Sequence, residues 1–175
     1  MAKKLYLKSV IKRFKFYKDL GDKTFEQLHE DDFDFVPAEE CNSIGIIIQH
    51  MSGNMLSRFT DFLTTDGEKE WRQRDAEFEK SGLTKEQLID LWEKGWSCVL
   101  ETMDELTSKD LKKTITIREE PLSVIDAINR QLAHYAYHVG QIIYVGKILR
   151  NKEWKNLSMP KNKPASSGDV VMNLH

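Results

Sequence analysis

Apolar residues recur at steps of three and four along four long segments of the chain, the spacing of an amphipathic α-helix. These segments cover residues 3–20, 40–63, 84–106 and 123–150. Capping patterns mark the start of the last two, because Thr84 stands three positions before Gln87 and Ser123 three positions before Asp126. The pattern predicts an all-α fold, a four-helix bundle with long connections.

The connections between these segments differ in character. Gly21 is expected to end the first helix, and a short capped helical piece is expected to begin at Thr24. Residues 114–118 alternate between threonine and isoleucine before an arginine, which predicts a short extended crossover segment. The loop 67–82 carries a dense aromatic and charged cluster between Trp71 and Phe78. Its length of about sixteen residues indicates a functional or well-packed segment whose role the sequence leaves open.

Composition, net charge and hydropathy limit the classes of protein and partner that can be expected. The chain has 175 residues, of which 40% are hydrophobic and 31% charged, as in a soluble helical domain. Residues 1–160 are expected to form the bundle and 161–175 a loosely ordered tail. A net charge of -2 with both signs interspersed gives no case for nucleic acid or a membrane surface as partner. Without a signal peptide or a long apolar stretch, a cytoplasmic location is expected.

The two cysteines are poor candidates for chemistry. Cys41 and Cys98 lie far apart in the sequence and form no Cys-x-x-Cys motif. This argues against a disulfide scaffold and against a thiolate zinc site. Both are predicted to be half-buried small side chains.

Three of the five histidines occupy positions suited to a common site. His134 and His138 lie four residues apart on the fourth predicted helix and therefore on one face, where both imidazoles can bind one ion. His50 takes a similar position on the second helix, beside the apolar stripe. His29 and His175 fall in an exposed connector and at the C-terminus. From position alone, a metal site and a set of hydrogen-bonded interhelical histidines are equally good explanations.

The surroundings of these histidines resemble a known family. Residues 50–56, 58–61 and 134–142 are similar to the corresponding motifs of the DinB-like superfamily, which includes the YfiT-like metal-dependent enzymes. The resemblance extends over residues 5–160. Within it, Trp71-Arg72 and residues 157–160 resemble one uncharacterised branch of that superfamily.

The resemblance implies a four-helix bundle that holds a divalent metal ion, usually nickel or zinc. The three ligand positions of the family match His50, His134 and His138. Characterised relatives are thiol S-transferases that use bacillithiol, mycothiol or glutathione. The chain is accordingly expected to be a metal-dependent transferase that activates a low-molecular-weight thiol for attack on a small electrophile.

A metal-dependent hydrolase is the alternative enzyme. Three neutral imidazoles leave the full charge of the ion in place, which favours both a bound thiolate and an activated water. Hydrolases usually place a carboxylate beside that water, and neither histidine stripe contains Asp or Glu. This favours the transferase, although Asp61 or Glu101 remains open as a carboxylate that reaches the site from elsewhere.

Several polar side chains near the histidines are secondary candidates. Asn54 and Gln141 are expected to orient an imidazole or substrate, or else to bridge helices. Arg58 and the Arg72-Arg74 pair are candidates for binding a substrate carboxylate, with ordinary ion pairing as the alternative.

A non-enzymatic protein is the remaining class. The bundle would then be a stress-response or interaction protein with a structural metal, or a helical homodimer without metal. Trp92 and Trp96 of the third helix are expected to pack either inside the bundle or across a homodimer interface.

Overall fold

A computed structural model describes residues 2–157 of the protein. Within this range the bundle is formed by four helices: α1 (Ala2–Phe25), α2 (Ile44–Phe59), α3 (Lys85–Glu105) and α4 (Val124–Arg150). The described residues also form two short strands, β1 (Thr114–Ile117) and β2 (Glu120–Ser123). Four 3-10 helices lie in the connections, at Glu30–Asp34, Asp75–Phe78, Asp110–Lys112 and Asn151–Glu153. The predicted all-α fold is confirmed. The predicted tail 161–175, and the bundle's expected last residues 158–160, lie outside the described residues.

The starts of α3 and α4 follow the predicted caps. The Thr84 hydroxyl accepts a hydrogen bond from the backbone N–H of Gln87 at 3.3 Å, and the Gln87 side chain accepts one from the Thr84 N–H at 2.9 Å. The Ser123 hydroxyl accepts from the Asp126 N–H at 3.1 Å. Each cap pairs a backbone donor that the first helical turn leaves without a partner.

Helix α1 continues past Gly21 to Phe25, so the predicted stop and the separate piece from Thr24 are wrong. Gly21 faces the indole ring of Trp92, where a Cβ atom would overlap the ring. The glycine therefore permits a close approach of α1 to α3 and does not end the helix. The Thr24 hydroxyl, expected to cap a new helix, donates to the Leu20 carbonyl oxygen at 2.8 Å inside α1.

Helix α2 is shorter at both ends than the predicted 40–63. Ser43 caps its start by accepting from the Ile46 N–H at 3.2 Å. Beyond the C-cap residue Thr60, Asp61 has a φ of 50°, which turns the chain away from the helix axis. Phe62 still reaches the core by stacking on Phe59 at 5.2 Å between ring centroids. Its burial therefore continues the apolar pattern after the helix has ended.

The predicted extended segment at 114–118 is one arm of an antiparallel hairpin, in which β1 pairs with β2. The turn residues Arg118 and Glu119 have φ values of 56° and 64°, which non-glycine residues adopt at a cost of about 1 kcal/mol or more each. The Asp66 carboxylate offsets this cost because it accepts hydrogen bonds from both N–H groups, at 2.9 and 2.8 Å. The hairpin is thereby attached to the loop that follows α2.

The tryptophans of α3 pack inside the bundle. Trp92 and Trp96 are fully buried, with ring centroids 5.5 Å apart, and both lie within a single hydrophobic core. The Trp92 indole N–H donates to Asp22 of α1 at 2.7 Å. Burial of a large apolar side chain contributes about 1.5–3 kcal/mol, so the two rings are major stabilising elements of the core. They need no second copy of the chain to cover them.

The two cysteines differ in their exposure to solvent. Cys98 is half-buried as predicted, but Cys41 is exposed because it lies in the irregular segment before α2. Burial raises the pKa of the Cys98 thiol.

Among residues 2–157, every helix is too short or too polar to cross a lipid bilayer.

Candidate metal centre

Three imidazoles converge where α2 faces α4. The Nε2 atom of His134 lies 3.2 Å from the Nε2 atoms of both His50 and His138. One ring nitrogen from each of the three lies within 4.8 Å of the others. In a tetrahedral zinc site with Zn–N bonds of about 2.0–2.1 Å, neighbouring ligand nitrogens stand about 3.3 Å apart. The group therefore has the dimensions needed to hold a metal ion.

Hydrogen bonds at the far side of two rings fix their tautomers. Nδ1 of His50 lies 3.0 Å from a carboxylate oxygen of Glu77, and Nδ1 of His138 lies 2.7 Å from the amide oxygen of Gln141. Both partners are acceptors, so each Nδ1 carries the proton and donates. The Nε2 lone pairs of His50 and His138 consequently point into the centre, as metal coordination requires.

The centre holds two of its three histidines, His134 and His138, in the neutral form. Burial, together with the neighbouring imidazoles, lowers the pKa of His134 to about 3. Burial likewise lowers the pKa of His138 to about 4, although its bond to Gln141 acts in the opposite direction. Neutral imidazole is the form that binds a metal, so at neutral pH no proton has to leave these two rings.

Glu77 is the residue that the sequence analysis missed. It lies in the short 3-10 helix Asp75–Phe78 of the long loop. Arg72 donates to both of its carboxylate oxygens, from Nε at 2.7 Å and from Nη2 at 2.8 Å. Burial opposes ionisation of Glu77, but the bonds from Arg72 and His50 outweigh it and keep its pKa below the usual value. An ionised carboxylate thus orients His50, a common arrangement behind metal-binding histidines.

The loop from Gly67 to Gly82 accordingly forms one wall of the centre. The centroid of the Phe78 ring lies 4.7 Å from the centroid of the His50 ring. On α2, Gly53 provides the space for the Glu77 carboxylate, which a Cβ atom at this position would overlap. Two features of the sequence pointed to a contact between the loop and α2: a glycine within a predicted helix and the charged cluster in the loop. Neither feature shows which carboxylate contacts which histidine.

The other polar and acidic residues proposed for the site from the sequence differ in whether they contact the histidines. Gln141 contacts His138 as described, whereas Asn54 accepts a hydrogen bond from the Tyr135 hydroxyl at 3.1 Å. Arg58 is buried and donates to the Gly67 carbonyl oxygen and, at 3.1 Å, to Glu68. Two carboxylates kept open by the sequence do not reach the histidines: Asp61 and Glu101 line a separate depression beside Cys98.

A cleft of about 560 Å³ opens in front of the three histidines. Five arginines contribute to its walls: Arg58, Arg72, Arg74, Arg118 and Arg130. We call it the arginine-lined cleft. Asn54, Phe78 and Tyr137 also line it, whereas no carboxylate of the described residues does. The centre is therefore accessible to a small molecule from one side.

The fold and the site define a helical bundle with a partly buried three-histidine group that could hold a metal ion. Over residues 1–163 the chain matches the family described as a protein of unknown function, DUF1572, and it belongs to this family. The match spans all three histidines and the long loop. A search among curated proteins found no match.

Proposed function

We propose that the protein binds one divalent metal ion, nickel or zinc, through His50, His134 and His138. The observation that carries this proposal is the convergence of the three imidazoles: the Nε2 atom of His134 lies 3.2 Å from the Nε2 atoms of both His50 and His138. The Glu77 and Gln141 contacts support it because they leave lone pairs directed inward. One histidine on the second helix and a His-x-x-x-His pair on the fourth also fit the DinB-like pattern. We therefore propose that this family is a branch of that superfamily.

We further propose that the site transfers a low-molecular-weight thiol to a small electrophile. A bound divalent ion would supply the positive charge that stabilises a thiolate. The thiol proton passes to solvent, the sulfur forms a bond to an electrophilic carbon, and the leaving group departs with the electron pair of its bond to that carbon. The chain's contribution is the arginine-lined cleft, in which Tyr137 and Phe78 offer apolar ring faces to the reactants.

The bonding of Glu77 favours the transferase over the hydrolase. Metal-dependent hydrolases usually have a carboxylate that is free to take a proton from water. Both oxygens of Glu77 already accept hydrogen bonds from Arg72, and one also accepts from His50. A thiol held as thiolate by a bound divalent ion would need no such base. Glu77 is therefore assigned to holding His50 in position.

The open cleft favours a reactive centre over a structural metal. Structural zinc sites usually have four protein ligands and are closed, whereas catalytic sites keep a position free for substrate. The group found within residues 2–157 supplies three ligands, and the cleft adjoins all of them.

Metal analysis of the purified protein tests the binding proposal. Protein prepared without chelator should contain about one nickel or zinc ion per chain, and His50→Ala and His134→Ala should lose it. His29→Ala is the matched control, since this histidine is exposed and belongs neither to the three-histidine group nor to the lining of the cleft. Circular dichroism checks that each variant is folded. Metal-free wild-type protein, or metal retained by folded His50→Ala and His134→Ala, would contradict the proposal.

Turnover tests the chemistry separately. Wild-type protein should consume a thiol in the presence of an alkyl halide or epoxide, and both chelation and His138→Ala should abolish this consumption. A metal-loaded protein that consumes no thiol with a panel of thiols and electrophiles would contradict the transferase proposal while leaving the metal site intact.

A further inference from the structure

The distribution of charge around the cleft differs from that of the whole chain. The chain carries a net charge of -2, yet the lining of the cleft includes five arginines and no carboxylate of the described residues. Charges of one sign along a concave surface focus the electrostatic potential and attract ligands of the opposite sign. The cleft is thus a local cationic surface on an otherwise slightly acidic protein.

Two of the five arginines have structural partners. Arg72 binds Glu77 through two hydrogen bonds, and its side chain is only 2% exposed. Arg58 is buried and donates to Gly67 and Glu68. These two guanidinium groups hold the long loop against α2. The positive charge available to a ligand must come mainly from the other three.

Arg74, Arg118 and Arg130 are exposed at the cleft and are less engaged. Arg130 has no hydrogen bond or ion pair with any residue between 2 and 157. The nearest carboxylate oxygen to Arg74 is 4.0 Å away, on the fully exposed Asp75. Arg118 binds Glu68 through Nε at 2.8 Å, but more than half of its side chain remains exposed. Guanidinium groups bind carboxylates and phosphates through paired N–H donors, so all three can contribute to anion binding.

A buried amide in the same cleft provides an independent sign of a ligand. Gln131 lies on α4, three residues before His134, and its side chain is almost completely buried although it lines the cleft. Its Oε1 atom has no hydrogen-bond partner in the described part of the chain. A buried polar atom without a partner is unusual in a native protein and indicates that a ligand or water completes its hydrogen bonding.

We propose that Arg74, Arg118 and Arg130 form an anion-binding site beside the three histidines. This site holds a carboxylate or phosphate group of the substrate, while Gln131 accepts a hydrogen bond from a neighbouring hydroxyl or amide group of the same molecule. The assignment of that molecule as the thiol or the electrophile rests on the proposed function. The anion site itself depends only on the arginines.

Calorimetric titration with inorganic phosphate and with malonate tests the anion site directly. Both probes are added to wild-type protein, to Arg74→Gln/Arg130→Gln, and to Lys147→Gln/Lys152→Gln. The lysine variant is the matched control because it also removes two positive charges, from exposed positions that do not line the cleft. We expect the arginine variant to bind the preferred anion about tenfold or more weakly than the wild type, and the lysine variant to bind it as the wild type does. Added salt should weaken anion binding to the wild type.

The relative affinity identifies the anion: stronger phosphate binding indicates a phosphorylated substrate, and stronger malonate binding indicates a carboxylate. Equal affinities of the wild type and the folded arginine variant, or no binding to wild type, would overturn the inference.

Matched thiols link the anion site to the chemistry. Cobalt-loaded protein is titrated with 3-mercaptopropionate and with 3-mercaptopropanol, and the thiolate charge-transfer absorption is followed. If the anionic group belongs to the thiol, 3-mercaptopropionate should bind about tenfold more tightly, and Arg74→Gln/Arg130→Gln should remove this preference. Equal thiol affinities together with tight phosphate or malonate binding assign the anion to the electrophile. Absence of any thiol signal overturns the thiol proposal, while the calorimetric result still decides the anion site.

Discussion

Gly53 on α2 leaves the space that the Glu77 carboxylate occupies, since a Cβ atom on residue 53 would overlap that carboxylate. The same carboxylate accepts a hydrogen bond from Nδ1 of His50, one helical turn earlier on α2. The absence of one side chain on the helix is therefore necessary for the orientation of a histidine in the proposed metal centre.

Gly53→Ala should weaken metal binding without unfolding the protein. The overlap involves the end of a flexible side chain, so Glu77 can move away, but it then loses its contact with His50. Loss of such a supporting contact lowers metal affinity by about 10 to 100-fold. Competition with a chromophoric chelator measures the affinity. Gly140→Ala is the control, because a Cβ atom there meets open space and should add about 1 kcal/mol of helix stability without changing the affinity. Equal affinities in the two variants would refute the role given to Gly53.

Glu77→Gln should affect both metal affinity and stability. The neutral amide no longer stabilises the proton on Nδ1 of His50, so metal affinity should fall about 10 to 100-fold. It also leaves the buried Arg72 guanidinium without its main counter-charge, which should lower the free energy of unfolding by about 3 kcal/mol. Urea denaturation measures the second effect. Glu79→Gln changes an exposed residue of the same loop and should alter neither quantity. A Glu77→Gln protein with wild-type metal affinity would show that this contact is not functional.

Asp66 should make the stability of the hairpin depend on pH. Burial acts against its ionisation, but hydrogen bonds from the backbone N–H groups of Glu68, Glu119 and Arg118 prevail and lower its pKa. The folded-state pKa lies below the unfolded value, so the stabilisation is present above about pH 4 and is lost as the pH falls through the folded-state pKa. Asp66→Asn should therefore cost about 1 kcal/mol at pH 7 and progressively less at lower pH.

Chemical denaturation between pH 7 and pH 2.5 measures this difference. Asp31→Asn replaces an exposed carboxylate outside the hairpin and serves as the control. A destabilisation by Asp66→Asn that stays constant over this pH range would contradict the assigned role.

Gly21→Ala should destabilise the fold even though alanine favours helices. The added methyl group would overlap the rigid indole ring of Trp92, which is fully buried and has no open space to move into. Overpacking of this kind costs about 1–3 kcal/mol, more than the gain of about 1 kcal/mol in helix propensity. Thermal unfolding followed by tryptophan fluorescence gives the measurement. A melting temperature equal to or above that of wild type would show that α1 and α3 do not approach as closely as described.

The sequence predicts those parts of the structure that depend on local periodicity. The caps at Thr84 and Ser123 are local patterns, and the structure confirms them. His134 and His138 share a face because they share a helix, and His50 could be matched to them because apolar stripes show which sides of α2 and α4 meet. The end of α2 could not be predicted in this way, since Phe62 is buried whether the chain is helical or turned at Asp61.

Contacts between distant irregular segments were beyond sequence analysis. Glu77 reaches His50 only because Arg72 holds the loop in place, and no period in the sequence encodes that pairing. The hairpin partner β2 contains Pro121 and is only four residues long, so its own composition does not suggest a strand. Its position is set by Asp66, which binds a turn 52 residues later in the chain.

The proposed metal centre also has a consequence for the order in which the protein is assembled. His50 is separated in sequence by 27 residues from Glu77 and by 84 residues from His134. A newly made chain therefore lacks the complete three-histidine group until α4 has been synthesised and has docked on α2. Metal binding is therefore expected to follow folding of the bundle. The bound ion should then link α2 to α4 and slow the unfolding of the folded protein.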